Sequence, residues 1–298
     1  GARDDGGYLD EFFFDDIGSN GDRTIDLTND SAGQLSGLFA HQDTEKDLTL
    51  TMLYDGRNFL REASEAYTGG WVRSTYSIGG TLHSLERLPV TGGTIERINV
   101  LYFAGSPIAL WKKVGTATAT TTRLVTDHLG TPIASIQEAG QALDWYGGFE
   151  PFGEDWQAGT AQDSLSKGIF LRMPGQWKDP IWGVATYRME LFYNVNRWYE
   201  PQTGRYTKTD PLGLGSLQLP QFGLSELDRG IYWQQMLLTP AMRAEYGYSR
   251  ENPIRFSDPD GRISPSCAED QGRRSIDIAK AASNEPGFPG GPDGRIDG

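Results

Sequence analysis

The chain has 298 residues and 37% hydrophobic content, with 8 Trp, 13 Tyr and 13 Phe, enough to fill the core of one large β domain or two smaller ones. A formal charge of −13 opposes a nucleic-acid partner, because that binding depends on Lys and Arg neutralising phosphates. A single cysteine, Cys267, excludes an intrachain disulfide and any Cys-rich zinc site, and no apolar run is long enough to span a membrane.

Gly1 opens the chain in a polar stretch without a signal-peptide pattern, which reads as a fragment of a longer protein. In LTLTMLYDG (48–56), Leu48, Leu50, Met52 and Tyr54 alternate with Thr49 and Thr51, predicting a strand that enters a tight Asp-Gly turn. The stretches 71–80, 97–113, 117–154 and 186–210 repeat the pattern, each a β-branched or aromatic run closed by Gly, Asp or Asn. Loose repeats, such as FFFDDIGSNGDRT (12–24) and MLYDGRNFLREA (52–63), put an aromatic before Asp, then Gly and Asn, then Arg. Successive hairpins of this kind predict an all-β fold wound as a spiral sheet.

Two Asp-Pro-x-Gly tetrads follow, Asp210–Gly213 and Asp258–Gly261. Each is a good turn in its own right, since Asp caps backbone N–H groups, proline fixes its own φ and glycine permits the turn. Chemical lability is a second reading without an enzyme, through a succinimide at Asp260-Gly261 or acid-sensitive Asp-Pro bonds. A catalytic reading needs two carboxyls close enough to share a proton, one ionised and one protonated, so that base and acid roles are divided. Asp210 and Asp258 qualify because each starts a rigid turn that presents its carboxylate at a fixed angle. His41, His83 and His128 are scattered, so no Ser-His-Asp set is legible.

DHLGTPIASIQEAGQALDWYGGFEPFGE (127–154), then 173–214, then YGYSRENPIRFSDPDGR (246–262), stand in an order that resembles the core domain of Rhs and YD-repeat proteins. The resemblance implies a cocoon-like shell of YD hairpins ending in an inward-curling core, or plug, that encloses a C-terminal cargo. Its divisions here are YD-repeat-like hairpins over 1–126, the Rhs-associated core over 127–262, and a tail or cargo remnant over 263–298. In part of that family the plug is a self-cleaving aspartyl peptidase that cuts once, after the second tetrad. Carried onto this sequence, the catalytic residues are Asp210 and its partner Asp258, and Arg205 orients a carboxylate or stabilises the oxyanion, with Arg250 the weaker choice. Pro211, Gly213, Pro259 and Gly261 complete the motifs, and the cut falls between Arg262 and Ile263. Arg262 stands where the family has Leu, and an insertion at 215–246, with a short helix predicted from Ser225, separates the tetrads.

Beyond Arg262, RRSIDIAKAAS (273–283) is a short helical candidate before a Gly/Pro tail, and the closing GPDGRIDG lacks the carboxylates of a calcium loop. No cofactor or metal is implied. The implied partner is the chain's own C-terminal cargo, with a secretion apparatus or cell-surface ligand beyond it, and the implied location is secreted or at the cell surface. Two other classes remain: a non-cleaving structural or adhesive YD-repeat module, and a carbohydrate-binding β protein stacking sugars on Trp145, Trp156, Trp177 and Trp198.

Overall fold

The computed structural model describes residues 2–3, 9–14, 23–42, 48–89, 93–138, 142–155, 164–182, 190–211, 246–249, 252–254 and 257–261. The predicted helices at 225 and 273–283, the insertion, the calcium-like tail and Cys267 lie outside these residues. Among the described residues thirteen strands form one antiparallel meander: β1 (Ala2–Arg3), β2 (Leu9–Phe14), β3 (Arg23–Asn29), β4 (Leu35–Gln42), β5 (Leu48–Tyr54), β6 (Leu60–Glu65), β7 (Trp71–Tyr76), β8 (Leu82–Leu88), β9 (Glu96–Phe103), β10 (Ser106–Val114), β11 (Thr120–Thr126), β12 (Pro132–Gln137) and β13 (Leu143–Tyr146). A second sheet holds β14 (Phe192–Asn194), β15 (Arg197–Glu200) and β16 (Arg205–Tyr206). The fold is all-β, with no α-helix among the described residues.

The period-2 pattern of β5 is visible in its burial: Leu50 and Met52 are buried while Thr51 between them is exposed. Beyond it the Asp-Gly dipeptide does not make the two-residue turn expected. The loop is five residues long, Asp55–Phe59, and Asn58, not Gly56, takes the left-handed conformation at φ 64°. Asp55 Oδ1 accepts the N–H groups of Arg57 and Phe59 at 2.8 and 3.1 Å, and this cap makes the longer loop the better-satisfied solution.

The same loop recurs at Asp30–Gln34, Ser77–Thr81 and Asp127–Thr131. In each, the first N–H donates to the fifth carbonyl, the fourth N–H donates to the first carbonyl, and the first side chain accepts from at least one N–H inside the loop. The fourth position is Gly33, Gly80 or Gly130, with φ from +69° to +100°, a region that glycine enters without steric penalty. All four loops join an odd strand to the next even strand, so the up-and-down topology places them along one rim of the sheet.

A fifth loop on that rim, between β9 and β10, is the two-residue Ala104–Gly105 turn with φ of 49° and 84°. Positive φ at both positions is the type I′ hairpin, which favours Asn-Gly over Ala-Gly. Ala104→Asn is expected to raise unfolding stability by about 0.5–1 kcal/mol, read as a higher urea midpoint at unchanged slope.

The second sheet packs against the meander. All seven residues of β14 and β15 are buried, because the meander covers one face and a tyrosine cluster the other, which explains why Phe-Tyr-Asn and Arg-Trp-Tyr-Glu show no polar alternation. Edge-on ring contacts run Trp177, Trp182, Trp198, Tyr193 at centroid distances of 4.9, 5.0 and 5.2 Å. Polar tips cross the joint: Trp177 Nε1 donates to Tyr76 Oη at 3.0 Å, Trp198 Nε1 to Tyr54 Oη at 2.9 Å, and Lys208 Nζ to the Gly33 carbonyl and Gln34 Oε1 on the rim. Arg87 on β8 also pairs with the buried Asp179 at 3.2 Å.

This burial corrects the sugar-stacking expectation. Trp145, Trp177 and Trp198 are each 1% exposed and present no ring face to a ligand; Trp156 lies outside the described residues. These three tryptophans fill the core, where each removes a large apolar area from water.

Candidate active site

The second tetrad lies against the β14–β15 hairpin. Asn194 Nδ2 donates to the Asp258 carbonyl at 2.8 Å, Asn196 Nδ2 to the Asp260 carbonyl at 2.7 Å, and Arg197 Nε to the Gly261 carbonyl at 2.6 Å. Three side chains of one hairpin therefore hold three carbonyls of one turn. Gly261 has φ +64°, and a Cβ there would stand 2.4 Å from the Asn194 carbonyl oxygen, so the motif's glycine is required by both backbone and space.

Arg197 also joins the two tetrads. Its Nη2 donates to Asp210 Oδ2 at 2.9 Å and to Asp258 Oδ2 at 3.0 Å, so the two carboxylate oxygens lie within about 6 Å of each other. The side chains of Arg197 and Asp258 are each 2% exposed and that of Asp210 16%. Asp258 Oδ2 accepts a further bond from Tyr206 Oη at 2.8 Å, and the Arg197 guanidinium lies over the Tyr206 ring at 3.5 Å. Burial, then the Asp258 charge, push the Tyr206 hydroxyl well above its ordinary range, which keeps it a neutral donor.

Strand geometry explains the assembly. Tyr199 stands opposite Tyr206 in register, and Arg197, two residues earlier on the same face, is the diagonal neighbour that can stack on the Tyr206 ring. Arg205, next to Tyr206 on β16, points the other way and is exposed. The structure thus brings Asp210, Asp258, Pro259 and Gly261 together, with Pro211 exposed beside Asp210, and it puts Arg197 where Arg205 was expected. Gly213, Arg250, Arg262 and Ile263 lie outside the described residues. His83 is exposed on β8, and His128 sits in a rim loop with Nε2 3.1 Å from the Ile254 carbonyl.

Sequence reasoning missed Arg197, Tyr206, Asn194 and Asn196. The available signal was an arginine inside the otherwise aromatic run FYNVNRWY, because a cation at a core position needs acceptors brought to it. Gly175 supports the site from outside, with φ +84°, and a Cβ there would stand 1.8 Å from the Pro259 carbonyl oxygen. Gly175→Ala is expected to displace the second tetrad and to lower stability by at least about 1–3 kcal/mol, measured as a loss of urea midpoint. A cavity of about 530 Å³, lined in part by Ser106, His128, Pro174, Pro259 and Asp260, opens beside that tetrad and gives solvent room there.

No family model matches the chain. In sequence it is 41% identical over 90 residues to toxin protein Tse5 of Pseudomonas aeruginosa, and 32% identical over 89 residues to double-stranded DNA deaminase toxin A of Burkholderia cenocepacia. It is 34% identical over 88 residues to the putative uncharacterized protein YibJ of Escherichia coli. Each alignment covers 30% of this chain, which spans only 6% of the two toxins and 33% of YibJ. The TcdB2-TccC3-TEV crystal structure and the Tc holotoxin pore of Photorhabdus luminescens each match over 80% of this chain and 10% of theirs, at TM-score 0.53 and 17% identity. The chain is similar to Rhs-type toxins. The structural match carries the fold, an all-β hairpin architecture, and the sequence matches carry the likeness to toxin proteins.

Proposed function

We propose that this Rhs-like chain is the shell-and-plug segment of a polymorphic toxin, which encloses a C-terminal cargo and releases it by one aspartyl self-cleavage at Arg262–Ile263. What supports the reading is one contact set: Arg197 Nη2 bonded to a carboxylate from each tetrad, with Arg197 Nε on the carbonyl of Gly261, one residue before the proposed cut. Two carboxyls held on one guanidinium can divide the base and acid roles between them, as the reading requires.

In the proposed step the ionised carboxylate removes a proton from water as its oxygen attacks the Arg262 carbonyl carbon. The protonated partner gives its proton to the leaving nitrogen as the C–N bond to Ile263 breaks, so one water is consumed and Arg262 gains a carboxylate while Ile263 gains an amine. Arg197 holds both carboxyls and the adjacent carbonyl throughout, and Tyr206 fixes the Asp258 oxygen. The partner is the chain's own cargo polypeptide, and the setting is a secreted or cell-surface toxin.

The test is intact-mass spectrometry of fresh wild-type protein at neutral pH. Two fragments, one ending at Arg262 and one beginning at Ile263, are the expected result. A single uncut chain defeats the proposal and leaves the tetrads as turns clamped by Arg197, the role of a structural YD-repeat module.

A further inference from the structure

The residue between the two asparagines that hold the second tetrad is Val195, at φ 49°. A β-branched side chain is strongly disfavoured in the left-handed region, and asparagine on either side would enter it more readily. Val195 is also 1% exposed, so its conformation is set by what surrounds it.

What surrounds it is the rim of the meander. Tyr193 Oη donates to the Val195 carbonyl and accepts the Leu60 N–H, the first of β6, at 2.7 Å. A Cβ on Gly80, in the Ser77–Thr81 loop, would stand 2.8 Å from Val195 Cγ1, so valine fills the space left by that glycine. One rim loop and the first residue of β6 therefore hold the one turn that carries Asn194, Asn196 and Arg197 to the tetrad.

We infer that the Val195 turn is a latch: docking of the plug on the hairpin rim imposes its left-handed backbone, and only then are Asn194, Asn196 and Arg197 aligned on the second tetrad. The inference rests on the self-cleavage reading for its functional meaning, making the cut conditional on the plug being docked on that rim. Tyr193 is a positioning residue in this scheme, acting through Val195 without touching the tetrad.

The experiment uses the full chain with Tyr193→Phe, alone and combined with Val195→Gly. The first removes one hydroxyl and keeps the ring; the second lets the turn adopt its backbone without the rim, because glycine enters positive φ freely. Tyr193→Phe is expected to slow self-cleavage at least about tenfold and to speed hydrogen exchange over 194–197 and 258–261. The double variant is expected to return both to within about threefold of wild type. A merely structural hydroxyl predicts no such rescue. Wild-type cleavage and exchange in Tyr193→Phe, or a double variant as slow as the single, overturns the latch. Should Tyr193→Phe fail to fold, Tyr54→Phe, which removes the acceptor of the Trp198 indole, is expected to act in the same direction, and wild-type values there overturn it. If the wild type itself stays uncut, the self-cleavage reading falls, while the exchange measurements still decide whether the rim sets the turn.

Discussion

Asp258→Asn is expected to leave the chain whole, with self-cleavage slowed about a hundredfold to ten-thousandfold relative to wild type, and Asp210→Asn to do the same. Asparagine keeps the size of each side chain and its bonds to Arg197, but it can neither take a proton from water nor give one to a leaving nitrogen. Intact mass over time gives the rates, and near-ultraviolet circular dichroism of the tryptophan stack checks that the fold persists. Cleavage at wild-type rate in either variant would remove that carboxylate from the mechanism.

Arg197→Met is expected to lower stability by about 3–5 kcal/mol, the largest loss from any single substitution in the site. It removes the guanidinium that bonds both Asp258, at 2% side-chain exposure, and Asp210, and takes the donor from the Gly261 carbonyl. Arg197→Lys should recover only part of this, because one ammonium cannot reproduce a fork that reaches two carboxylates and a carbonyl at once. Pairing Arg197→Met with Asp258→Asn should cost less than the two losses added, because the neutral amide has no buried charge left to balance. Urea unfolding followed by tryptophan emission measures all of these; additive losses in the pair would show that Arg197 acts on something other than Asp258.

Much of the architecture was legible in local chemistry. Alternation in 48–54 and the turn residues between runs gave hairpins in chain order, and the second Asp-Pro-x-Gly tetrad announced itself as a turn, whereas Leu212 and Gly213 of the first lie outside the described residues. The Asp-Gly at 55–56 misled because a dipeptide signal was read without its surroundings: Asp55 caps N–H groups two and four residues on, and that favours a five-residue loop with Asn58 at the left-handed position. Among the described residues that loop, which begins at Asp55 directly after Tyr54, recurs at Asp30, Ser77 and Asp127, whereas residues 15–22 of the 12–24 copy of the aromatic-Asp pattern lie outside them.

The arginine of the site was harder to find for a physical reason. Arg205 stands closer to Asp210 in sequence, but strand alternation turns it outward, whereas Arg197 reaches the tetrads only because Tyr206 stands across the sheet from Tyr199. Pairing register is a property of two strands together, and one strand's sequence does not state it.

The meander pairs each strand only with its chain neighbours, and such local contacts form early and quickly. A ribosome releases β1 to β13 in the order in which they pair, whereas Asp258 needs Arg197 from 61 residues upstream and emerges after them. Translation therefore delivers the second tetrad only after the strands that pack against β14 and β15 have had time to pair.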